Sequence, residues 1–255
     1  MDGRPYFISV EEARAICNAT PLQTTVKHLP LEACTGRILA EDLASKVDDP
    51  PFDNSAMDGF ACTFDSEATY PLTLNIVGLQ AATGENEAHT VAAGEAVRIM
   101  TGAPMPPGAD AILPIERCEV DGQQVRLLEP PKPHFVRKMG ENLRSGTIAL
   151  SKGQHLTPSR VGLCATMGYD TLPVYTRLNV GIVSTGDELK SPGQPLKHGE
   201  IYESNSFGLA GLVEWAGHRP VRFSSVADSM DALRQTLDEA ANTCDLILTS
   251  GGVSM

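Results

Sequence analysis

The alternation of apolar and polar positions changes character along this chain. "SVEEARAICNAT" (9–20) puts Val10, Ala13 and Cys17 on one helical face, with Ser9 and Glu12 at capping-box spacing. From 24 to about 150 the apolar runs are short and broken by Gly and Pro. Examples are "LTLNIVG" (72–78), "EAVRIMTG" (95–102), "DAILPIE" (110–116), "QQVRLLE" (123–129) and "HFVRKM" (134–139). That texture predicts small antiparallel sheets or a barrel. "TPSRVGLCATMGYD" (157–170) predicts a short helix with Thr157 as N-cap, Pro158 in its first turn and Gly168 at its stop.

Beyond a boundary near 177 the pattern turns to β-α-β-α-β. "LNVGIVS" (178–184), "VRFSSV" (221–226) and "CDLILTS" (244–250) are predicted strands. "SNSFGLAGLVEWAG" (204–217), capped by Ser204 and ended by Gly217, and "SMDALRQTLDEAA" (229–241) are predicted helices. Continuously apolar strands alternating with helices predict a parallel sheet covered on both faces.

Such sheets bind ligands beyond the carboxyl ends of their strands. Three loops should therefore share one edge: "STGDEL" (184–189), "ADS" (227–229) and "SGGVSM" (250–255). They bring the carboxylates Asp187, Glu188 and Asp228 beside Thr185, Ser250, Gly251 and Gly252. A Gly-Gly turn after a strand can cradle phosphate with its N–H groups. Each loop is a common turn when taken singly; their convergence is what points to a site. Oxygen ligands without a His/Cys cluster suit a hard cation such as Mg²⁺.

The β-rich half has its own candidate, "PFDNSAMDGFA" (51–61), with Asp53, Asn54, Ser55 and Asp58 in one turn. Either these side chains bond their own backbone, as Asp, Asn and Ser do in turns, or one carboxylate faces outward.

Charge narrows the ligand classes. The 255 residues carry 20 Lys+Arg against 32 Asp+Glu, a net charge of −12. A field of that sign opposes nucleic-acid binding, so an anionic ligand has to be held by local groups. The six cysteines, Cys17, Cys34, Cys62, Cys118, Cys164 and Cys244, form no CxxC pair, and reduced, buried thiols in a cytoplasmic protein are expected. Neither a basic-apolar leader nor an apolar run of membrane-spanning length is present, so no membrane association is expected.

Taken in order, "PFDNSAMDGFA", "RIMTGAPMPPGADAILPIE", "GEN" after "VRKM", "GIVSTGDEL", "PGQPL…GEIYESNS" and "SGGVSM" resemble the molybdopterin molybdenumtransferases, the MoeA and gephyrin E-domain family. The likeness runs along essentially the whole chain and corresponds to that family's N-terminal portion. It implies a multidomain α/β plus β-rich fold. A three-layer molybdopterin-binding (MogA-like) domain with a parallel sheet would be preceded by a β-rich domain and a small linking domain. The boundaries implied are an N-terminal helix at 1–23, a linking domain at 24–45 and 147–177, a β-rich domain at 46–146, and an incomplete α/β domain at 178–255.

The resemblance also implies a reaction. Molybdate is inserted at the dithiolene of adenylylated molybdopterin, with Mg²⁺-dependent release of AMP, to give molybdenum cofactor. By the same likeness Asp58, Thr101, Glu188 and Asp228 are the catalytic residues. Thr185, Gly186, Asp187, Ser250, Gly251, Gly252 and Ser254 bind substrate, and Glu188, Asp228 and Glu141 hold metal. Asn142 stands where the family has an acid, and an amide brings no charge to that position. The implied assembly is a homodimer, with Asp58 of one subunit aimed at the α/β domain of the other. Molybdopterin adenylyltransferase and molybdoenzyme chaperones are the implied partners. Two other functions stay open on the sequence: an adenylyltransferase acting on molybdopterin, and a non-catalytic scaffold. A third strand ending five residues before the terminus leads us to expect a piece of a longer chain, inactive by itself.

Overall fold

The computed structural model describes residues 8–82, 89–226 and 229–251. Contacts group them into two compact units, one made of 1–40 with 171–255 and the other of 41–170. Four α-helices occur among the described residues: α1 (Val10–Ala19), α2 (Pro158–Thr166), α3 (Asn205–Trp215) and α4 (Met230–Thr243).

Helix α1 starts where its cap dictates. The Glu12 N–H donates to Ser9 Oγ at 3.1 Å, and the Ser9 N–H to Glu12 Oε2 at 2.7 Å. Both halves of the capping box are therefore present. None of its residues is buried.

In the discontinuous unit, Val26–Pro30 pairs antiparallel with Thr171–Tyr175. Asn179–Ser184 lies at the centre of a three-stranded sheet, parallel to Arg219–Arg222 on one side and to Leu246–Ser250 on the other. The parallel sheet expected from the pattern is thus formed. The second strand begins two residues earlier than its apolar run and ends at Arg222; the Phe223 N–H still donates to the Ile182 carbonyl at 3.0 Å, after which Ser224 and Ser225 leave the ladder. Leu178, Val180 and Ile182 pack with Val213 and Leu209 of α3 and with Leu246 and Leu248. A short parallel pair, Leu189–Lys190 with Ile201–Tyr202, lies between the first strand and α3.

The continuous unit is built on one six-stranded sheet. Its order across the sheet is Ala111–Pro114, Gly59–Cys62, Glu95–Ile99, Leu72–Gln80, Gln124–Leu127 and Cys118–Asp121. All four residues of Gly59–Cys62 are buried, since both faces are covered. Phe60 and Cys62 join Leu74, Ala96, Leu113, Val125 and Leu127, whereas Ala61 joins Ile99, Ala103, Ile112 and Val136. That split follows the two-residue period of a strand. One pairing departs from the antiparallel expectation. Leu72–Gln80 runs parallel to Glu95–Ile99, with a shift of register between Ile76 and Gly78. Parallel neighbours need a long connection, which the segment between Gln80 and Glu95 supplies. "HFVRKM" yields only the two-residue strand Val136–Arg137, paired with Asn54–Ser55.

Candidate functional site

"DNSAMDG" resolves into two kinds of side chain. Asp53 is committed to the protein: Lys138 Nζ and the Met139 N–H donate to its two oxygens, each at 2.8 Å. The Lys138 hydrogen bond, followed by that of Met139, holds its carboxyl below the usual carboxylate range. Ser55 is buried, donates to the Met57 carbonyl at 2.5 Å and accepts from the Met57 N–H at 3.2 Å. Asn54 is paired through its backbone with Arg137, and its buried Oδ1 has no partner among the described residues.

Asp58 is different. It is exposed, and only its Oδ1 is engaged, accepting from both the N–H and the hydroxyl of Thr101 at 2.7 Å. The Thr101 hydroxyl, then its N–H, hold the Asp58 carboxyl below its ordinary value. Its Oδ2 finds no partner among the described residues. The turn thus satisfies itself with Asp53 and Ser55 and presents one ionised carboxylate outward. Both options open at the sequence level are realised, by different residues.

Glu141 and Asn142 are held within the same unit. Glu141 accepts from the Lys138 N–H at 2.8 Å and lies 3.6 Å from Arg137 Nε. Asn142 donates to Asp49 Oδ2 at 3.0 Å.

The other candidates gather at the carboxyl edge of the parallel sheet. The Thr185 N–H donates to the Ser250 carbonyl at 2.9 Å, and the Gly186 N–H to the Val226 carbonyl at 3.2 Å. All three strand-end loops therefore begin on one edge. Gly251 has φ +98°, and a Cβ there would lie 2.4 Å from the Thr185 carbonyl oxygen. At Gly186 (φ +150°) a Cβ would lie 2.7 Å from Glu188 Oε2. Both positions need glycine for their backbone, and Gly251 needs it for space as well, since the atom it would meet is backbone. The result is a tight cradle in which the buried Thr185 Oγ1 lacks a partner among the described residues. Beside it the exposed Glu188 carboxylate is likewise unpartnered there, while Asp187 is exposed at the tip of its loop. Asp228, Gly252 and Ser254 lie outside the described residues.

Glu203 is a residue that the sequence reading passed over. It is 5% exposed. Its Oε1 accepts from the Ser206 N–H at 2.7 Å and from Ser184 Oγ at 3.1 Å, and its Oε2 accepts from Ser206 Oγ at 2.5 Å. Arg222 Nη2 lies 3.8 Å from it, and Arg222 Nε donates to Ser206 Oγ at 2.8 Å. Burial pushes this carboxyl up, but the hydrogen bonds from Ser206 and Ser184 and the charge of Arg222 outweigh it, and the net shift is down. Glu203 thereby ties the end of the central strand to the start of α3. Next to it, Asn205 Nδ2 donates to Ser250 Oγ at 2.8 Å and orients that hydroxyl at the cradle. "ESNS" was the available signal, since a strand leading into a helix start through Glu, Ser and Asn places three polar groups at a sheet edge.

No group of three or more His, Cys, Asp or Glu side chains suited to a metal ion occurs among the described residues. Among the described residues, one unpartnered carboxylate, Glu188, borders the cradle.

Known proteins match this chain closely. The profile of the MoeA N-terminal region (domain I and II) covers residues 8–168, and that of a probable molybdopterin binding domain covers 181–255. The chain is 41% identical to molybdopterin molybdenumtransferase 2 of Mycobacterium tuberculosis over 232 residues, covering 89% of this chain and 57% of that protein. It is 36% identical to the molybdopterin molybdenumtransferase of Haemophilus influenzae over 253 residues, covering 98% and 62%. A crystal structure of the molybdopterin biosynthesis MoeA protein from Pyrococcus horikoshii superposes with a TM-score of 0.78 at 31% identity, covering 89% of this chain and 62% of that one. The chain thus spans between 57% and 62% of the length of these relatives.

Proposed function

The chain belongs to the MoeA family, and we propose that it takes part in molybdenum cofactor synthesis as a molybdopterin molybdenumtransferase. Its substrates on this reading are adenylylated molybdopterin and molybdate. Molybdenum enters at the two dithiolene sulfurs of the substrate while the phosphoanhydride is hydrolysed to release AMP. The sulfurs belong to the substrate, so the protein's own thiols have no role as ligands.

The observation that carries the reading is the cradle formed by Thr185, Gly186, Ser250 and Gly251. It offers an unpartnered buried hydroxyl and crowded glycine backbone, the combination that holds phosphate oxygens. Asn205 keeps Ser250 Oγ pointed, and Glu203 fixes the strand end that carries Ser184 and Thr185. A pyrophosphate seated there would place its bridging oxygen within reach of the loop that bears Asp187 and Glu188.

Asp58 is the carboxylate that accepts a proton at the opposite side of the substrate. Thr101 keeps it ionised and fixes the direction of its remaining lone pairs. We assign it to the cradle of a second subunit in a homodimer. Magnesium would neutralise the phosphoanhydride and draw on Glu188 and Asp228, although the described residues do not by themselves converge on a metal site. The right-handed rule for parallel crossovers would put α3 and α4 on opposite faces of the sheet, giving the three-layer arrangement of a molybdopterin-binding domain.

The test is equilibrium binding of adenylylated molybdopterin, measured by calorimetry on the chain and on Gly251→Ala. We expect saturable binding that weakens about tenfold or more in the variant, because Cβ would enter the space of the Thr185 carbonyl. Equal affinity in both proteins, or no binding to the unmodified chain, would remove the cradle from the mechanism.

A further inference from the structure

The amino end of the parallel sheet, opposite the cradle, gathers several arginines on this acidic protein, while its Asp245 is committed to the Asn179 N–H at 2.7 Å. Arg219 opens the Arg219–Arg222 strand, and Arg177 stands two residues before Asn179. Arg37 joins them through the turn at Gly36. A Cβ on Gly217, just past the end of α3, would lie 3.4 Å from the Gly36 carbonyl oxygen, so that turn and the helix end are packed together.

Arg37 is held in place by a 2.6 Å hydrogen bond from its Nη2 to the Tyr175 carbonyl. Burial lowers its guanidinium below the ordinary value; repulsion from Arg177 and, more weakly, Arg219 lowers it further, against an opposing effect of Cys34. None of the ion pairs among the described residues includes Arg37, Arg177 or Arg219. Arg177, His218 and Arg219 border one open cleft of about 430 Å³ together with Glu214, Gly217 and Pro220. His218 Nδ1 accepts from the Leu178 N–H at 3.2 Å, which leaves its Nε2 to carry the proton.

We propose that Arg177, His218 and Arg219, which border the cleft, form a binding site for a phosphate-type oxyanion, separate from the cradle, with Arg37 adding to its positive field. Arg37 feels the charge of both Arg177 and Arg219, and among the described residues no carboxylate is paired with any of the three, so the site favours entry of an anion. Guanidinium forks match a tetrahedral oxyanion by bidentate hydrogen bonding. The cleft's size suits a free oxyanion or the phosphate end of a small ester. Glu214 at its border disfavours an extended acidic ligand. With a net charge of −12, an anion reaches this surface only where cations are concentrated.

Calorimetric titration of the whole chain with inorganic phosphate, and separately with glycerol phosphate, at ionic strength held by sodium chloride, tests the site. The expected result is a saturable event that weakens about tenfold or more in Arg177→Gln/Arg219→Gln. It should persist in Gly251→Ala and in Arg126→Gln, whose arginine is already paired with Glu119. Tighter binding of the ester would identify an organic phosphate as the occupant, and equal binding the free ion. Melting temperature serves as the check on folding of the double variant. Absence of saturable heat from both anions overturns the proposal. So does heat unchanged in a folded double variant, or heat lost only in Gly251→Ala.

Discussion

At the scale of single residues, two carboxylates at comparable turns have opposite fates because their donors differ. Asp53 meets a lysine and a backbone N–H on separate oxygens, whereas Asp58 meets one threonine through one oxygen. A carboxyl held below its ordinary value of 3.8 adds stability that is complete above that pH and disappears as pH falls through the lowered folded value. Thr101→Val deletes the hydroxyl but keeps the N–H. Its Asp58 should therefore titrate closer to 3.8 by carboxyl-carbon NMR, and acid should weaken the variant less steeply than the parent below pH 4; an unchanged midpoint would mean that the hydroxyl does not set the charge. Glu203 calls for a larger effect. Glu203→Ala leaves Arg222, Ser206 and Ser184 without their shared acceptor at a buried point, and should cost about 2–3 kcal/mol in urea unfolding. A cost below about 0.5 kcal/mol would show that water replaces the carboxylate freely.

At the scale of elements, legibility followed the range of the forces involved. Capping boxes and helix stops act over three or four residues, so Ser9 with Glu12 and Thr157 with Arg160 could be read directly. The β-α-β-α-β texture announced the parallel sheet, because burial on both faces leaves a continuous apolar run. The parallel pairing of Leu72–Gln80 with Glu95–Ile99 was hidden, since nothing local in either strand fixes its neighbour's direction. Glu203 was hidden for a related reason: Ser184 and Arg222 lie 19 residues away on either side. Helix α2 allows a check on purely local physics. Gly162 is exposed inside it, and a Cβ there would meet nothing within 4 Å. Gly162→Ala should thus stabilise the protein by about 0.5–1 kcal/mol, measured by chemical denaturation. Destabilisation would mean that this face of the helix is covered in solution.

At the scale of the whole molecule, the decisive feature is that a continuous segment is inserted into a discontinuous unit. The chain leaves at Ala40, whose N–H donates to the Pro173 carbonyl at 2.9 Å, and it returns at Thr171, the first residue of a strand paired with Val26–Pro30. Departure and return are therefore anchored side by side, as an insertion into a pre-existing ladder requires. Between them, 41–170 holds a six-stranded sheet and two apolar clusters drawn entirely from its own residues. A segment of that length with cores on both sheet faces exceeds the minimum for independent stability. Its small outer ribbon, Leu43–Ala44 with Ile148–Leu150, and the hydrogen bond from Tyr169 Oη to the Ala44 carbonyl at 2.8 Å bring its two ends together without help from the other unit. Residues 41–170 expressed alone should accordingly unfold in one cooperative transition and give a dispersed amide spectrum. A collapsed spectrum with no thermal transition would mean that the sheet of the discontinuous unit is needed to hold the insertion's ends, and the two-unit division would then describe contacts without describing folding.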